Sequence, residues 1–391
     1  MQSASGTGAG DDRYTERKGD KVMNYGDVKR LAQTIVMRSL AVTAGQKVLV
    51  DLSGEVQPLG SAIVNELCRR GAVVQLRETS AAYLKALISG SSEEQLSAWA
   101  EAELSRMDGV DAYIGLRADQ NQYEFSDIQE ARYAAYMKRF LVPWHHRMAM
   151  LPSWLLLKYP THGMAQLARM GREQLDAIFV RSCLLDYDRL AERARPLGER
   201  LMSTREVRIV SPGTDLTFDI TGMSHYMCDG RYNLPDGEIF TAPLVESAEG
   251  IITFNVPTSF LGMTFEQVGL EFRKGKAAPL PGSSSRLAEL LAADEGASRI
   301  GEFGIGLNNC IPRPMNQLLF DEKMAGSIHI ALGQAFPMAD NGNVSDIHWD
   351  LVLHQAEEYG GGELYFDGRL VRRNGLFIDD ELKPLNTYAE E

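Results

Sequence analysis

The sequence predicts an α/β protein in two parts: an N-terminal α/β domain with a mostly parallel sheet, and a β-rich mixed α+β C-terminal domain. Its 391 residues are about twice the span that one hydrophobic core usually organises. Up to about residue 200, apolar runs alternate with helical patterns, which is typical of βα units. Beyond it, short strand-like runs are separated by turn residues. We therefore place the domains at residues 25–200 and 201–391.

The N-terminal part begins after a tail, residues 1–24, that we predict to be disordered. The tail is polar and glycine-rich and lacks the apolar centre of a secretory signal. Hydrophobic periodicity then predicts alternating helices and strands. The helices are expected at 28–40, 60–70 and 92–107 and again up to about 200, and the strands at 47–52, 72–78, 112–116 and 140–143.

The C-terminal part reads as short strands joined by turns. A run rich in glycine, proline and serine at 274–285 predicts a loop, which leads into a helix at 286–293. The strands are expected at 207–210, 216–220, 250–255 and 270–273, with a hairpin at 363–378.

Composition narrows the possible partners and compartment. The net charge of -13, with no lysine- or arginine-rich block, argues against a nucleic-acid partner. Apolar runs fall far short of the roughly 20 residues that a membrane span needs, so no membrane role is expected. The cysteines form no CxxC pair, which predicts a reducing, cytoplasmic setting. They are Cys68, Cys183, Cys228 and Cys310.

Two histidines lie in strand-like segments of the C-terminal part. In SDIHWDLV, His348 and Asp350 are two residues apart, so a strand would point both to one side. A pair of surface residues is the alternative interpretation. In GSIHIALG, His329 lies among apolar residues, where it could instead be a core histidine bonded to a backbone carbonyl. His354 is expected to be exposed.

Two glutamates complete a group of possible metal ligands. Glu302 is the single carboxylate of the apolar run RIGEFGIG, where a buried charge needs a cation. Glu238 follows a turn in NLPDGEIFTAP, and an ordinary exposed hairpin is the alternative there. Two imidazoles and three carboxylates suit two divalent ions, such as zinc, cobalt or manganese, that share a bridging carboxylate.

The phrases NLPDGEIFTAP, GEFGIGLN, EKMAGSIHIALG and IHWDLV, in this order, resemble the metal-ligand signatures of the aminopeptidase T, or thermophilic aminopeptidase, family of metallopeptidases. The resemblance implies an N-terminal α/β domain, a metal-binding C-terminal domain and a homodimer. It also implies removal of N-terminal residues from a peptide or small amide substrate. The implied ligands are Glu238, Glu302, His329, His348 and Asp350, with Glu302 bridging two metal ions.

The expected reaction is amide hydrolysis by a water that bridges the two ions and loses a proton near neutral pH. Glu302 or Glu238 could carry that proton, but coordination makes either a poorer base, so the base stays open. This chain departs from the family in two places. Phe336 stands where a tyrosine is usual, seven residues beyond His329, and the run from His329 to His348 is short.

Three alternatives remain. Ring-cleaving 2,5-dihydroxypyridine dioxygenases look like the same family with a single iron, which His329, His348 and Asp350 could hold as a facial triad. The two retained glutamates, Glu238 and Glu302, argue against this, because one iron has less need of them. A different amide hydrolase on the same scaffold, and a member that binds metal without chemistry, are the other two.

Overall fold

The computed structural model describes residues 23–260 and 263–387, so the predicted tail lies outside them except for its last two residues. Up to residue 203 it alternates helices and strands as the sequence predicts. The strands are β1 (Lys47–Gly54), β2 (Val73–Thr79), β3 (Ala112–Ala118) and β4 (Ser153–Lys158). The helices are α1 (Tyr25–Gln33), α2 (Leu59–Arg69), α3 (Ala81–Gly90), α4 (Glu93–Leu104), α5 (Glu130–Tyr136), α6 (Val142–Ala149), α7 (His162–Leu167), α8 (Arg172–Cys183) and α9 (Tyr187–Ser203).

The rest of the chain is rich in strands. Its strands are β5 (Glu206–Ser211), β6 (Thr214–Asp219), β7 (Tyr226–Cys228), β8 (Asn233–Leu234), β9 (Glu238–Thr241), β10 (Glu249–Phe254), β11 (Thr258–Phe260), β12 (Met263–Phe265), β13 (Val268–Arg273), β14 (Lys276–Pro279), β15 (Ile300–Gly306), β16 (Ser327–Gly333), β17 (His348–His354), β18 (Glu363–Phe366), β19 (Arg369–Arg373) and β20 (Leu376–Phe377). Its α-helices are α10 (Ser285–Leu291) and α11 (Leu318–Asp321).

The first sheet is parallel throughout, with the strand order β2-β1-β3-β4-β8. The parallel sheet predicted from the βα alternation is therefore confirmed. Its last strand, β8, comes from beyond residue 200 and pairs with β4. The two parts of the chain thus share one sheet.

Two antiparallel sheets and a small ribbon make up the β-rich part. An eight-stranded sheet has the order β14-β13-β10-β6-β5-β18-β19-β20, and a five-stranded sheet has the order β17-β16-β15-β9-β7. The ribbon pairs β11 with β12. The prediction of a mixed, β-rich second part is confirmed, and the five-stranded sheet carries the candidate site.

The five-stranded sheet has one apolar face. In β16, Ile328, Ile330 and Leu332 are fully buried and alternate with His329 and Ala331. Burying each of the three large side chains contributes about 1.5–3 kcal/mol. Because successive side chains of a strand point to opposite faces, this packing turns the residues between them toward the other face. The apolar core therefore fixes the direction of the polar ones.

The strand predicted at 140–143 is wrong, because these residues are helical. They form the end of a π-helical turn, Met137–Leu141, and the start of α6. Phe140, Trp144 and Met148 are buried at intervals of four residues, which is a helical spacing. Pro143 lies in the first turn of α6, where a helix accepts proline. The fourth strand is instead β4, which the sequence analysis missed.

The loop predicted at 274–285 is also partly wrong, since Lys276–Pro279 forms β14 and pairs with β13. The glycine- and proline-rich composition hid a short edge strand. The helix predicted at 286–293 is present as α10. In the part of the chain that the structure describes, no helix is both long and apolar enough to cross a membrane.

Candidate metal centre

Four neighbouring strands, β9, β15, β16 and β17, bring the five predicted ligands to one face of the five-stranded sheet. Ala331 lies at the centre of this face, directly opposite Glu302 on one side and Asp350 on the other. Neighbouring strands are about 4.8 Å apart, and the small side chain of Ala331 leaves space between the two carboxylates.

Glu238, Glu302 and His329 form the tighter group. The Nε2 atom of His329 lies 2.9 Å from Glu302 Oε1 and 3.5 Å from Glu238 Oε2. One possible ligand atom from each residue lies within 4.8 Å of the other two. All three residues are at most 3% exposed, so bulk water screens their charges little.

Glycines in β15 make room for this group. Gly304 lies directly opposite His329, and a Cβ atom at Gly304 would fall 2.0 Å from Cε1 of the imidazole. The ring therefore lies over the glycine, in space that any other residue would fill. The position of the His329 ring therefore requires a glycine at residue 304.

His348 and Asp350 form a second, more open pair. The Nε2 atom of His348 is 3.5 Å from Asp350 Oδ2, and its Nδ1 atom lies 2.8 Å from the backbone oxygen of Gln334. A bond from Nδ1–H to a carbonyl leaves Nε2 as the coordinating atom. The His348 side chain is 24% exposed, and the Phe336 ring lies 4.6 Å from the imidazole, between centroids.

Without metal, the carboxylates hold protons on both imidazoles. Burial lowers the pKa of His329, but the charges of Glu238 and Glu302 outweigh it and raise the pKa to about 9. Burial likewise opposes protonation of His348, yet Asp350 raises its pKa to about 10. These carboxylates therefore attract positive charge, and a metal ion would replace the protons on binding.

The donor set fits a divalent metal ion. Three buried atoms, Glu238 Oε2, Glu302 Oε2 and His329 Nδ1, find no hydrogen-bond partner among residues 23–260 and 263–387. Buried polar atoms without partners are costly, and carboxylate oxygens so placed are suited to coordinate a cation. Burial raises the pKa of Glu302 although His329 acts against it, so the one imidazole does not fully offset the cost of burying this carboxylate.

Sequence reasoning missed a buried ion cluster beside this group. The Nζ atom of Lys323 lies 2.5 Å from Glu238 Oε1, 2.8 Å from Glu322 Oε1 and 3.7 Å from Asp236 Oδ1. Burial lowers the pKa of Lys323, but the three carboxylates raise it well above its usual value. The exposed hairpin considered for Glu238 is wrong, since Asp236 is 1% exposed.

Burial also shifts the pKa values of the cluster's acids. It raises the pKa of Glu322 to about 8 and that of Asp236 to about 7, with Lys323 acting against it in both cases. One sequence signal was available: Asp236 lies two residues before Glu238 in the phrase NLPDGEIFTAP. The two acids are brought together by a turn at Gly237, whose φ is 108°, and not by an extended strand. Glu322 and Lys323 begin the phrase EKMAGSIHIALG, but no spacing in it marks them as buried.

A cavity of about 160 Å³ is lined in part by Val352 of β17 and by Asp321, the residue before Glu322. Val352, one of its lining residues, lies directly opposite His329 and two residues beyond Asp350. The cation of the lining is Lys158 at the end of β4, whose Nζ atom is 3.2 Å from Gln317 Oε1. The full lining is Gln122, Lys158, Val256, Pro257, Thr258, Ser259, Asn316, Gln317, Leu318, Asp321 and Val352.

His354, expected to be exposed, is 4% exposed at the end of β17. Its Nδ1 atom accepts a hydrogen bond from the backbone N–H of Ala356 at 3.1 Å, and its ring packs 4.3 Å from that of Tyr359, between centroids. His354 is the last residue of β17, and its side chain is buried like those of the preceding strand residues. Burial lowers its pKa to about 4, with Arg372 adding to the effect.

These features define a class: an α/β protein whose β-rich part carries buried imidazoles and carboxylates of the type that binds divalent metals. Residues 25–375 match the sequence pattern of the thermophilic metalloprotease family, M29. The chain belongs to this family.

Its relatives are aminopeptidases. Aminopeptidase T of Thermus thermophilus is 33% identical over 192 residues, which cover 41% of this chain and 46% of that protein. The chain thus spans about half the length of this relative. Aminopeptidase AmpS of Bacillus subtilis is 24% identical over 84% of this chain and 88% of its own length.

A solved structure shows the same fold. Wild-type AmpT from Thermus thermophilus superposes with a TM-score of 0.77 at 20% identity, covering 90% of this chain and 99% of that one. The sequence-based assignment to the aminopeptidase T family, and with it the overall architecture, is confirmed.

Proposed function

We propose that this protein is a metal-dependent aminopeptidase that hydrolyses the N-terminal amide bond of peptides. The observation that carries the proposal is the buried group of Glu238, Glu302 and His329, with its unpartnered oxygens, in a chain of the M29 family. Aminopeptidase names among the relatives support the choice of reaction.

We infer that the centre takes two divalent ions, zinc, cobalt or manganese. Glu238, Glu302 and His329 would hold one, and Glu302, His348 and Asp350 the other, so that Glu302 bridges them. Such ions polarise a carbonyl group and lower the pKa of a water molecule. Coordination requires both imidazoles to be neutral at the binding nitrogen, so metal loading should weaken as the pH falls.

The protein's own carboxyl groups would move the proton of the attacking water to the departing amine. Glu302 and Glu238 are the two acids proposed for this step from the sequence, but both are also proposed ligands. Glu322 adds a third acid: it is buried, is not a proposed ligand, and forms an ion pair with Lys323 through Oε1 at 2.8 Å. A carboxyl free of metal is a stronger base than a coordinated one.

The cavity lined by Val352 and Lys158 is the proposed place for the peptide beyond the cleaved bond. Amide and hydroxyl groups line it, which suits a peptide backbone. Lys158 contributes a cation, whose Nζ atom also lies 3.3 Å from Asp119 Oδ2. Asp321, also in the lining, accepts backbone N–H bonds from Met315 and Gln317. We infer that Lys158 receives the terminal carboxylate of a short peptide.

The dioxygenase alternative is not proposed. It needs His329, His348 and Asp350 around one iron, whereas the acids nearest to His329 are Glu302 and Glu238. The arrangement therefore favours a centre that uses the two glutamates.

We further propose a homodimer in the cytoplasm. The dimer follows from the family resemblance, and the compartment agrees with four free cysteines among the described residues. Light scattering after size exclusion would measure the mass of the assembly. A mass of one chain would reject the dimer.

Substituting the proposed bridging ligand tests the centre itself. We expect Glu302→Gln to lose both ions and all measurable peptidase activity, because the amide oxygen is neutral and a weak ligand for two cations. Metal content per chain is measured after exchange into chelator-treated buffer, with circular dichroism as the folding control. Full metal content in the variant would contradict the assignment of Glu302.

A further inference from the structure

Glu238 belongs to two possible cation-binding groups at once. On one side it faces Glu302 and His329, and on the other it meets Cys228 and Asp236, again with ligand atoms within 4.8 Å. All of these residues are buried. A metal ion entering this region would therefore meet two sets of donors that compete for the same carboxylate.

Lys323 contacts only one of the two carboxylate oxygens of Glu238. Its Nζ atom binds Oε1 at 2.5 Å, while Oε2 lies 3.5 Å from His329 Nε2 and has no hydrogen-bond partner in the described residues. The ammonium group also lies 3.7 Å from Asp236 Oδ1. The side chain is 2% exposed, so this position is set by the surrounding fold.

We propose that Lys323 is a built-in cation that fills the group of Cys228, Asp236 and Glu238, keeps metal ions out of it, and fixes Glu238 Oε2 toward His329. Lys323 is thus a positioning residue that chooses between two metal sites. The proposal rests on the metal centre proposed above, but it concerns where metal binds and does not depend on which bond is cleaved.

Charge explains the exclusion. The ammonium group already lies 2.5 Å from Glu238 Oε1 and 3.7 Å from Asp236 Oδ1, so a divalent ion bound to these two oxygens would lie directly against it. Like charges that close repel each other strongly in a poorly screened interior, whereas Glu238 Oε2 points away from the lysine toward His329. Without the lysine, Asp236 and Glu238 would face each other uncompensated and attract a metal ion.

Co²⁺ binding distinguishes the two possible metal sites, because only one of them contains a sulfur atom. Thiolate coordination gives Co²⁺ a charge-transfer band in the near ultraviolet. We expect the unchanged protein to bind Co²⁺ without this band. Lys323→Met keeps the length of the side chain but removes the charge, and should bring the band in. Lys323→Arg keeps the charge, and the double variant K323M/C228S lacks the sulfur, so both should show no band.

The same titrations give an affinity. Loss of the hydrogen bond to a ligating carboxylate costs about 10- to 100-fold in metal affinity, and we expect that loss at the Glu302–His329 side in K323M. Unchanged or tighter binding there, or no thiolate band in a folded K323M, would overturn the proposal. Thermal unfolding of metal-free samples shows whether each variant is folded.

A second variant decides the matter if K323M does not fold. Cys228→Ser alone should bind Co²⁺ with the affinity and spectrum of the unchanged protein, because the lysine already keeps metal away from the sulfur. A tenfold weaker affinity in C228S, or a thiolate band in the unchanged protein, would reject the exclusion. A protein that binds cobalt as expected but cleaves no peptide would reject the proposed reaction only.

Discussion

Gly304 leaves the space in which the His329 ring lies. Adding a single carbon atom there tests whether this position of the ring is needed for metal binding. We expect Gly304→Ala to displace the imidazole, because the added Cβ would fall 2.0 Å from Cε1. Metal affinity should drop about 10- to 100-fold, the usual effect of disturbing the support of a ligand. Calorimetric titration with zinc measures the change.

Gly90 provides the matched control for that experiment. It ends α3, and a Cβ atom there would meet nothing within 4 Å. Gly90→Ala should bind zinc like the unchanged protein. Equal affinity in G304A and the unchanged protein would show that His329 is not a ligand in this position.

Phe336 lies beside His348 where the family usually has a tyrosine, so a hydroxyl is missing near the centre. We expect Phe336→Tyr to raise kcat by up to about 10²-fold, since one donor to a developing oxyanion can contribute that much. Zinc affinity should not change. Phe336→Leu, which adds no hydroxyl, is the control, and an equal gain in both variants would contradict the explanation.

The five proposed ligands were recognisable because each lies in a short, distinctive phrase of the sequence. Lys323 and Asp236 lie in two of the same phrases, but the sequence did not predict that they form a buried ion cluster, because their burial depends on strands far away in the chain. A lysine beside a glutamate usually predicts a solvated surface, and only the fold shows that three carboxylates surround this one.

Among the elements, the end of β4 places Lys158 in the cavity. We expect Lys158→Met to lower kcat/KM for a tripeptide with a free carboxylate about 10- to 100-fold, mainly through KM, because a charge-assisted hydrogen bond is lost. The same peptide with a C-terminal amide is the control and should be cleaved equally by both proteins. An equal loss for both peptides would exclude a carboxylate contact.

The end of β17 gives the protein a source of acid sensitivity in His354. Its pKa is about 4 in the folded state, below the ordinary value of 6.5, so the unfolded chain takes up the proton first. The neutral His354 side chain therefore contributes about 3 kcal/mol to the free energy of unfolding above pH 6.5. This contribution is lost as the pH falls through 4.

His354→Asn should remove this dependence while keeping an acceptor for the N–H of Ala356. Chemical denaturation at a series of pH values between 7 and 4 gives the free energy of unfolding. The difference in free energy of unfolding between the unchanged protein and H354N should become smaller as the pH falls. His146→Asn, on an exposed residue, should leave the slope unchanged, and a constant gap for H354N would contradict the account.

Helices and strands with a clear hydrophobic pattern were predictable from the sequence, and those with an ambiguous pattern were not. The strands β1 and β3 are mostly apolar runs between turns and were found within two residues of their ends. The segment around Phe140 was misread because four apolar letters in a row fit a strand as well as a helix. Only the burial of Trp144 and Met148 reveals the helical spacing.

For the whole molecule, the change in sequence pattern near residue 200 was enough to predict a mostly parallel sheet followed by a β-rich mixed part. The connection between the parts was not predictable. The strand β8 has two residues, too few for any periodicity, yet it joins the parallel sheet through β4. The proposed centre begins four residues later, at Glu238, so the shared sheet holds one ligand strand close to the first part.

The most direct test of the central claim is the release of N-terminal residues from matched peptides. Protein stripped of metal and then supplied with zinc, cobalt or manganese should cleave a peptide with a free amino terminus. It should leave the N-acetylated peptide intact, and the stripped protein should cleave neither. No release with any of these ions, together with one iron per chain and oxygen uptake on a dihydroxypyridine, would contradict the aminopeptidase account.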